Sequence, residues 1–288
     1  LLQKIITSVY VDREFPLLKD KNVRKLPKED TEILKNNVEA MVYHKIGDVC
    51  VHQTDNIIVS AFISLSVVGK ISNYTLVTTS LSTIIAIIIN NCVSSIGNFI
   101  SVEAPERKKE IFRVYNFLAF WIYGFVAIEL FALFQPFIQV WVGEENLIGS
   151  LTIGIIIIEY YFSGLRVAVA NFKSACGIFQ ADKYIGIVQA VVNLVFSIAL
   201  AKMIGLPGVY IGTVAQGVVD FVWRPRLVYK LVFKESSKEY YLTWFKQFAV
   251  FLMLAAASCF IASRILTQIS LGRIIIAGFV ILAFVNLI

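Results

Sequence analysis

Ionisable and amide side chains recur at helical spacing inside stretches that are otherwise apolar. His44, Asp48, His52 and Asp55 follow one another at intervals of four, four and three residues, which puts them on one helical face. Glu159, Ser163, Arg166, Ala170 and Lys173 share a second face. Asp182, Gln189, Asn193 and Ser197 share a third, and Thr213, Gln216, Asp220 and Arg224 a fourth. Another stretch is rich in Ser, Thr and Asn, including Asn91, Ser94 and Asn98. Charges in an apolar helix are costly and usually face a bundle interior or a water-filled cavity. The chemistry such faces offer is reversible binding. Arg and Lys hold anions, Gln189, Asn193 and Thr213 offer partners to hydroxyl groups, and His52 with Asp55 suits protonation or cation coupling.

Each of these residues also has a plainer reading. Ser, Thr and Asn hydrogen-bond between helices and fix their packing, and packing is the expected role of His44. Lys173, Asp182 and Arg224 lie near the ends of their apolar stretches, where long side chains snorkel to an interface. Glu129 is expected at the outer interface. Glu159 and Arg166 lie deeper. They are about 10 Å apart along the axis, at roughly 1.5 Å per residue, so the sequence predicts a separate partner for each. A metal site is not expected: His44 and His52 are eight residues apart and no cysteine joins them. No cofactor is expected either, since no nucleotide-binding sequence such as GxxxxGK[ST] occurs. Cys50, Cys92, Cys176 and Cys259 have no CxxC spacing and read as structural thiols.

The elements that must position these faces are membrane spans. Hydrophobic residues make up 58% of the 288 and charged residues 16%, where a soluble domain is nearer half and a quarter. A crossing helix needs about 20 mostly apolar residues. Eight stretches meet that criterion, at 46–67, 72–99, 114–135, 151–172, 184–204, 206–224, 245–263 and 272–288. Residues 1–10 read as the end of an earlier span, and the chain as a fragment of a longer protein. In 28–45, Ile33, Leu34, Val38, Met41 and Val42 fall at helical spacing among charges, which predicts an amphipathic helix on a membrane face. All six prolines are expected in connectors or at segment ends.

The basic residues are sorted by connector. Most of the 26 sit before the first long apolar run or in every second connector after it, as with Arg107, Lys108, Lys109 and Arg113. Lys70, Lys202, Arg264 and Arg273 are the few in the alternate connectors. Cytoplasmic loops retain Lys and Arg, so this alternation places 11–45 in the cytoplasm and orients each later span. The net charge of +6 therefore reports topology, with contact to lipid headgroups as a secondary use. Nucleic acid is not an expected partner. Lys4 and Arg166 are the basic residues left inside apolar runs.

The stretch 172–233 carries a resemblance. Phe172-Lys173 precedes Gly177-Ile178-Phe179, and Asp182-Lys183-Tyr184 follows. Asn193-Leu194, Ser197-Ile198, Gly205, Gly208-Val209, Gly212-Thr213, Pro225 and Tyr229-Lys230 complete it. Elsewhere, in order, stand Thr54-Asp55-Asn56, Val68-Gly69, Ser72-Asn73-Tyr74, Ser95-Ile96-Gly97-Asn98, Pro136-Phe137 and Trp141-Val142-Gly143. Over nearly the whole chain this resembles the second half of polysaccharide-exporting flippases of the multidrug/oligosaccharidyl-lipid/polysaccharide superfamily. The resemblance implies an all-α, polytopic membrane helical bundle, the second half of a MATE-like pseudo-symmetric transporter. On that scheme 1–45 holds the end of a preceding helix and a cytoplasmic linker, 46–230 a six-helix bundle, and 231–288 two additional helices. It implies a bacterial cytoplasmic membrane location and a substrate of oligosaccharide on polyprenyl pyrophosphate. Membrane lipid, a polysaccharide polymerase and glycosyltransferases are the further partners it implies. The expected substrate contacts are Arg166 for the anion, Lys173 at the cytoplasmic mouth, and Gln189 and Asn193 for sugar. The expected ion-coupling residues are Asp55, His52 and Glu159, serving H⁺ or Na⁺.

Three other readings compete. A cation-coupled drug exporter of the same superfamily would not need Arg166. A membrane glycan polymerase, an enzyme, would need a sizeable external loop. The longest external connector, around 135–150, carries Glu144 and Glu145 without a basic partner. A structural or receptor membrane protein would not need charges on successive spans.

Overall fold

The computed structural model describes the backbone of residues 2–15 and 26–287, and all side chains in those segments except residues 2, 3, 12, 48, 50–53, 92–95, 101 and 102. Asp48, His52, Ser94, Cys50 and Cys92 therefore lie outside the described side chains. Nine α-helices make up the described chain, with no strand among the described residues: α1 (Leu2–Glu14), α2 (Lys28–Phe62), α3 (Leu65–Val102), α4 (Pro105–Val142), α5 (Ser150–Ala175), α6 (Ile185–Ile204), α7 (Leu206–Val228), α8 (Lys238–Ile265) and α9 (Leu271–Leu287). The chain divides into two compact units after Glu39. In the first, Ile5, Ile6, Val9 and Tyr10 of α1 and Ile33, Leu34 and Val38 of α2 are all exposed.

The second unit is a helical bundle. Five described segments are long and apolar enough to cross a membrane: Leu65–Ile100, Pro105–Val142, Ser150–Ala175, Gln180–Ile204 and Lys238–Ile265. Helix α9 is apolar but only 17 residues long. Ile187, Val191, Val195 and Phe196 on α6 and Ile275, Ile276 and Phe279 on α9 are exposed. Exposed apolar faces on long apolar helices are those of a multi-pass membrane protein.

Helix boundaries depart from the sequence expectation where caps and long helices decide them. The expected linker helix at 28–45 and the span from 46 are one uninterrupted helix of 35 residues. That helix ends at Phe62 rather than 67, because Ser64 caps α3: its hydroxyl accepts from the Val67 amide at 3.2 Å. Satisfying an otherwise orphaned amide fixes the helix start there. Arg107, Lys108, Lys109 and Arg113 lie on the first turns of α4, which begins with Pro105 at its N-terminus. Pro136 and Pro225 stand inside α4 and α7, against the expectation. Each lies within the last two turns of its helix and leaves the carbonyl four residues before it without its helical partner.

Two kinds of packing hold the bundle. Helices α4, α5 and α8 are joined by rings. Tyr161 and Phe251 stack with centroids 4.1 Å apart, and Phe112 meets Phe172 edge-on at 5.0 Å. Helices α6 and α7 form a tight hairpin through Gly205, whose φ of 70° permits the turn. A Cβ on Gly208 would lie 2.2 Å from the Leu200 carbonyl oxygen, and one on Gly212 2.1 Å from Ser197 Oγ. Small residues thus let the two backbones touch. Ser197 Oγ also donates to the Val209 carbonyl at 2.9 Å. Helix α2 crosses α6 in the same way, where a Cβ on Gly47 would lie 2.5 Å from Gly186 Cα.

Candidate functional site

Helices α5, α6 and α7, with α2 beside them, bring the polar faces together as one column. Helix α5 descends from Glu159 through Arg166 to Lys173, while α6 returns from near Asp182 through Gln189 to Asn193. Helix α7 descends again from Thr213 through Gln216 to Asp220 and Arg224. Alternating direction sets residues far apart in sequence at one level.

At one end is a buried ion cluster. Lys173 Nζ donates to both Asp182 oxygens at 2.7 and 2.8 Å. His44 Nε2 lies 3.2 Å from Asp182 Oδ1 and 3.4 Å from the Phe179 carbonyl oxygen. Arg224 bridges to Asp220, with Nη1 donating to Oδ2 at 3.0 Å, and its Nε lies 3.5 Å from Asp182 Oδ2. Arg224 Nε also stands 2.8 Å from Asp220 Oδ1, in ion-pair contact but outside hydrogen-bond geometry. Lys173 is 3% exposed and Asp182 4%. Neither snorkels, and Lys173 does not stand open at a mouth: Asp182 arrives on the turn before α6 and captures it. The cluster ties α2, α5, α6 and α7, and His44 takes its packing role there as a polar partner of Asp182. Two carboxylates face two cations plus His44, so it is close to self-neutral.

The middle level corrects a second expectation. Arg166 and Glu159 pair directly, Nη2 to Oε1 at 2.8 Å. Helical side chains lean toward the N-terminus, so the long Arg166 chain runs back along its own helix. On the way Nε donates to the Phe162 carbonyl at 3.4 Å, and the guanidinium lies 5.0 Å over the Phe162 ring. Gly217 on α7 makes room for it, since a Cβ there would stand 2.5 Å from Nη1. Gln189 Nε2 donates to Gln216 Oε1 at 3.1 Å beside this level.

At the far level Asp55 receives Thr213 Oγ1 at 2.8 Å and Asn193 Nδ2 at 3.4 Å. Asn193, fully buried, also accepts from Thr54 Oγ1 at 3.0 Å. Among the described residues no three His, Cys, Asp or Glu could jointly hold a metal ion.

The structure therefore gathers Asp55, Glu159, Arg166, Lys173, Gln189 and Asn193 on one column, while the His52 side chain lies outside the described residues. It adds His44, Asp182, Asp220 and Arg224 as a cluster, and Phe162 and Gly217 as the seat of Arg166. Gly217 was visible only as a small residue beside the Gln216 stripe. Asn91 and Asn98 on α3 are exposed; α3 meets α5 instead through Asn90 and Asn171, whose Nδ2 donates to Asn90 Oδ1 at 3.0 Å. Cys176, at the end of α5, is packed so that burial pushes its thiol up to about 11, which suits an inert structural cysteine. Glu129 sits within α4, partly buried. The chain matches no protein-family model, no curated protein and no solved structure.

Proposed function

We propose that the protein is a flippase. It would move oligosaccharide on polyprenyl pyrophosphate from the cytoplasmic to the external leaflet of a bacterial cytoplasmic membrane by alternating access. The observation that carries this reading is Arg166, an arginine 9% exposed within a crossing helix and neutralised by a single internal carboxylate. A pyrophosphate offers a guanidinium more than one carboxylate can, because it presents several charged oxygens to the donor fork. Substrate can thus replace Glu159 as the partner of Arg166, with Gln189, Gln216 and Asn193 beside it to meet sugar hydroxyls. On this reading the eight spans are α2 from about residue 46 through α9. Helices α2–α7 form the second bundle of a pseudo-symmetric transporter, and α8 and α9 are the two additional helices. The ion cluster closes the cytoplasmic side and parts as the bundles rock. Lys173 meets the anion once Asp182 has moved away. A polysaccharide polymerase and glycosyltransferases would act before and after the step.

Asp55 favours a second reading, a cation-coupled exporter of smaller molecules. Its carboxylate, with Thr213 Oγ1 at 2.8 Å and Thr54 and Asn193 beside it, offers oxygens of the kind that hold H⁺ or Na⁺. One variant separates the two. Arg166→Ala in the full-length protein, reconstituted in liposomes, should lower translocation of lipid-linked oligosaccharide at least about tenfold, the worth of one charged hydrogen bond. Normal translocation and normal surface polysaccharide in a folded Arg166→Ala protein would sink the flippase reading and leave the exporter.

A further inference from the structure

Away from the polar column, a lateral groove of about 310 Å³ runs between α3, α4 and α9. None of its lining residues belongs to α2, α5, α6 or α7. Val77 and Leu81 of α3, Phe125 and Leu133 of α4, and Ile274 of α9 define its walls, and nine of its ten lining residues are apolar. The tenth is Glu129. Its Oε2 stands 3.8 Å from where a Cβ on Gly278 would be, an ordinary contact distance, so the carboxyl lies against the backbone of α9. Among the described residues Glu129 has no ion pair or hydrogen bond. Arg273, next to Ile274, donates instead to Thr267 Oγ1.

We propose that this groove binds a lipophilic ammonium, an alkyl or aryl amine whose cation meets Glu129 while its hydrocarbon lies along α4. A purely hydrocarbon occupant would fill the groove without using the carboxylate and would leave it facing apolar walls. A hydrophilic cation would lose its hydration against phenylalanine and leucine and gain one oxygen pair in return. An amphiphile with its charge at one end satisfies both the walls and the acid. The volume suits a modest ligand, at the lower end of the roughly 300–1,000 Å³ usual for small-molecule sites.

The test uses the full-length protein in nanodiscs of zwitterionic lipid. Two photoreactive alkyl probes of equal length, one ending in a primary amine and one in an alcohol, are compared by peptide mass spectrometry. The amine should label the α4 and α9 segments around Glu129 and Ile274 about tenfold more than the alcohol, as a charge-assisted pair predicts. Glu129→Gln should reduce amine labelling to the level of the alcohol. Gly278→Leu, which sets a larger side chain against the carboxyl, should suppress amine labelling with Glu129 intact. Equal labelling by the two probes, or amine labelling that survives Glu129→Gln, would show a groove that takes hydrocarbon regardless of charge. Either result overturns the proposal, as does absence of label in the unmodified protein. None of these outcomes depends on whether the polar column transports anything.

Discussion

The two flanks of helix α5 are held by different forces. Toward α4 and α8 it is cemented by rings: Tyr161 on Phe251 at 4.1 Å, then Phe248 and Trp244 stacked at 5.0 Å along α8. Toward α6, α7 and α2 it meets mainly ions, amides and glycines, with one ring contact to α7, Phe162 on Phe221 at 5.2 Å, and α6 makes no ring contact within its own length among the described residues. Interlocked rings have one good arrangement, and each pair adds about 0.5–1.5 kcal/mol beyond the area it buries. A buried ion pair or amide can trade one partner for another of matching charge or hydrogen-bonding capacity at little net cost, though it cannot be left unpaired. If the protein moves to work, the ring-packed block travels as a unit and the polar flank gives way.

The largest effect expected is on the ion cluster. Asp182→Ala leaves Lys173, Arg224 and His44 without the carboxylate they share, and should cost about 3–5 kcal/mol, read as a fall in thermal stability in detergent. Replacing both partners, Lys173→Met with Asp182→Leu, should recover most of that loss, because Asp220 and Arg224 still balance each other. A double variant as unstable as the single one would mean that the cluster is not an exchangeable latch, and the contrast between the flanks would fail.

The glycine crossings come next. Gly212→Ala puts a Cβ 2.1 Å from Ser197 Oγ and 2.5 Å from the Ser197 backbone nitrogen. Backbone cannot step aside cheaply, so α6 and α7 must separate, at about 1–3 kcal/mol. The measurement is again thermal stability, with cysteine cross-linking across the hairpin to report the separation. Unchanged stability and cross-linking would mean that the polar flank is loosely packed rather than closely packed and exchangeable.

How much of this could be read from the sequence depends on the distance over which each feature is decided. The helical content and the four polar faces follow from local periodicity, so they were legible. The pairing of Lys173 with Asp182 was not, because it depends on the turn at Gln180–Asp182 swinging a carboxylate back onto α5. Arg166 with Glu159 was misjudged for a different reason. Measuring along the axis ignores the direction in which a helical side chain leans, and that lean is what closes the gap. The Ser64 cap outweighed a hydropathy window that carried the first span on to 67. Gly217 shows the limit: nothing in its own neighbourhood tells that an arginine from another helix rests on it.

The smallest stability effect belongs to that glycine, and it cuts most cleanly between the flanks. In Gly217→Ala the new Cβ would stand 2.5 Å from Arg166 Nη1. The atom displaced is the tip of a flexible side chain, and alanine gains about 0.5–1 kcal/mol over glycine in a helix interior. Folding stability should therefore stay nearly constant while Arg166 is pushed from its seat and translocation falls. Phe251→Leu is the converse. It loses the stacked ring over Tyr161 at about 1 kcal/mol, and transport per folded molecule should be unchanged. Both are read by pairing a melting curve with a translocation assay normalised to folded protein. If Phe251→Leu impaired transport and Gly217→Ala did not, the ring-packed block would be the moving part. The polar column would then be only the seam along which the helices were assembled.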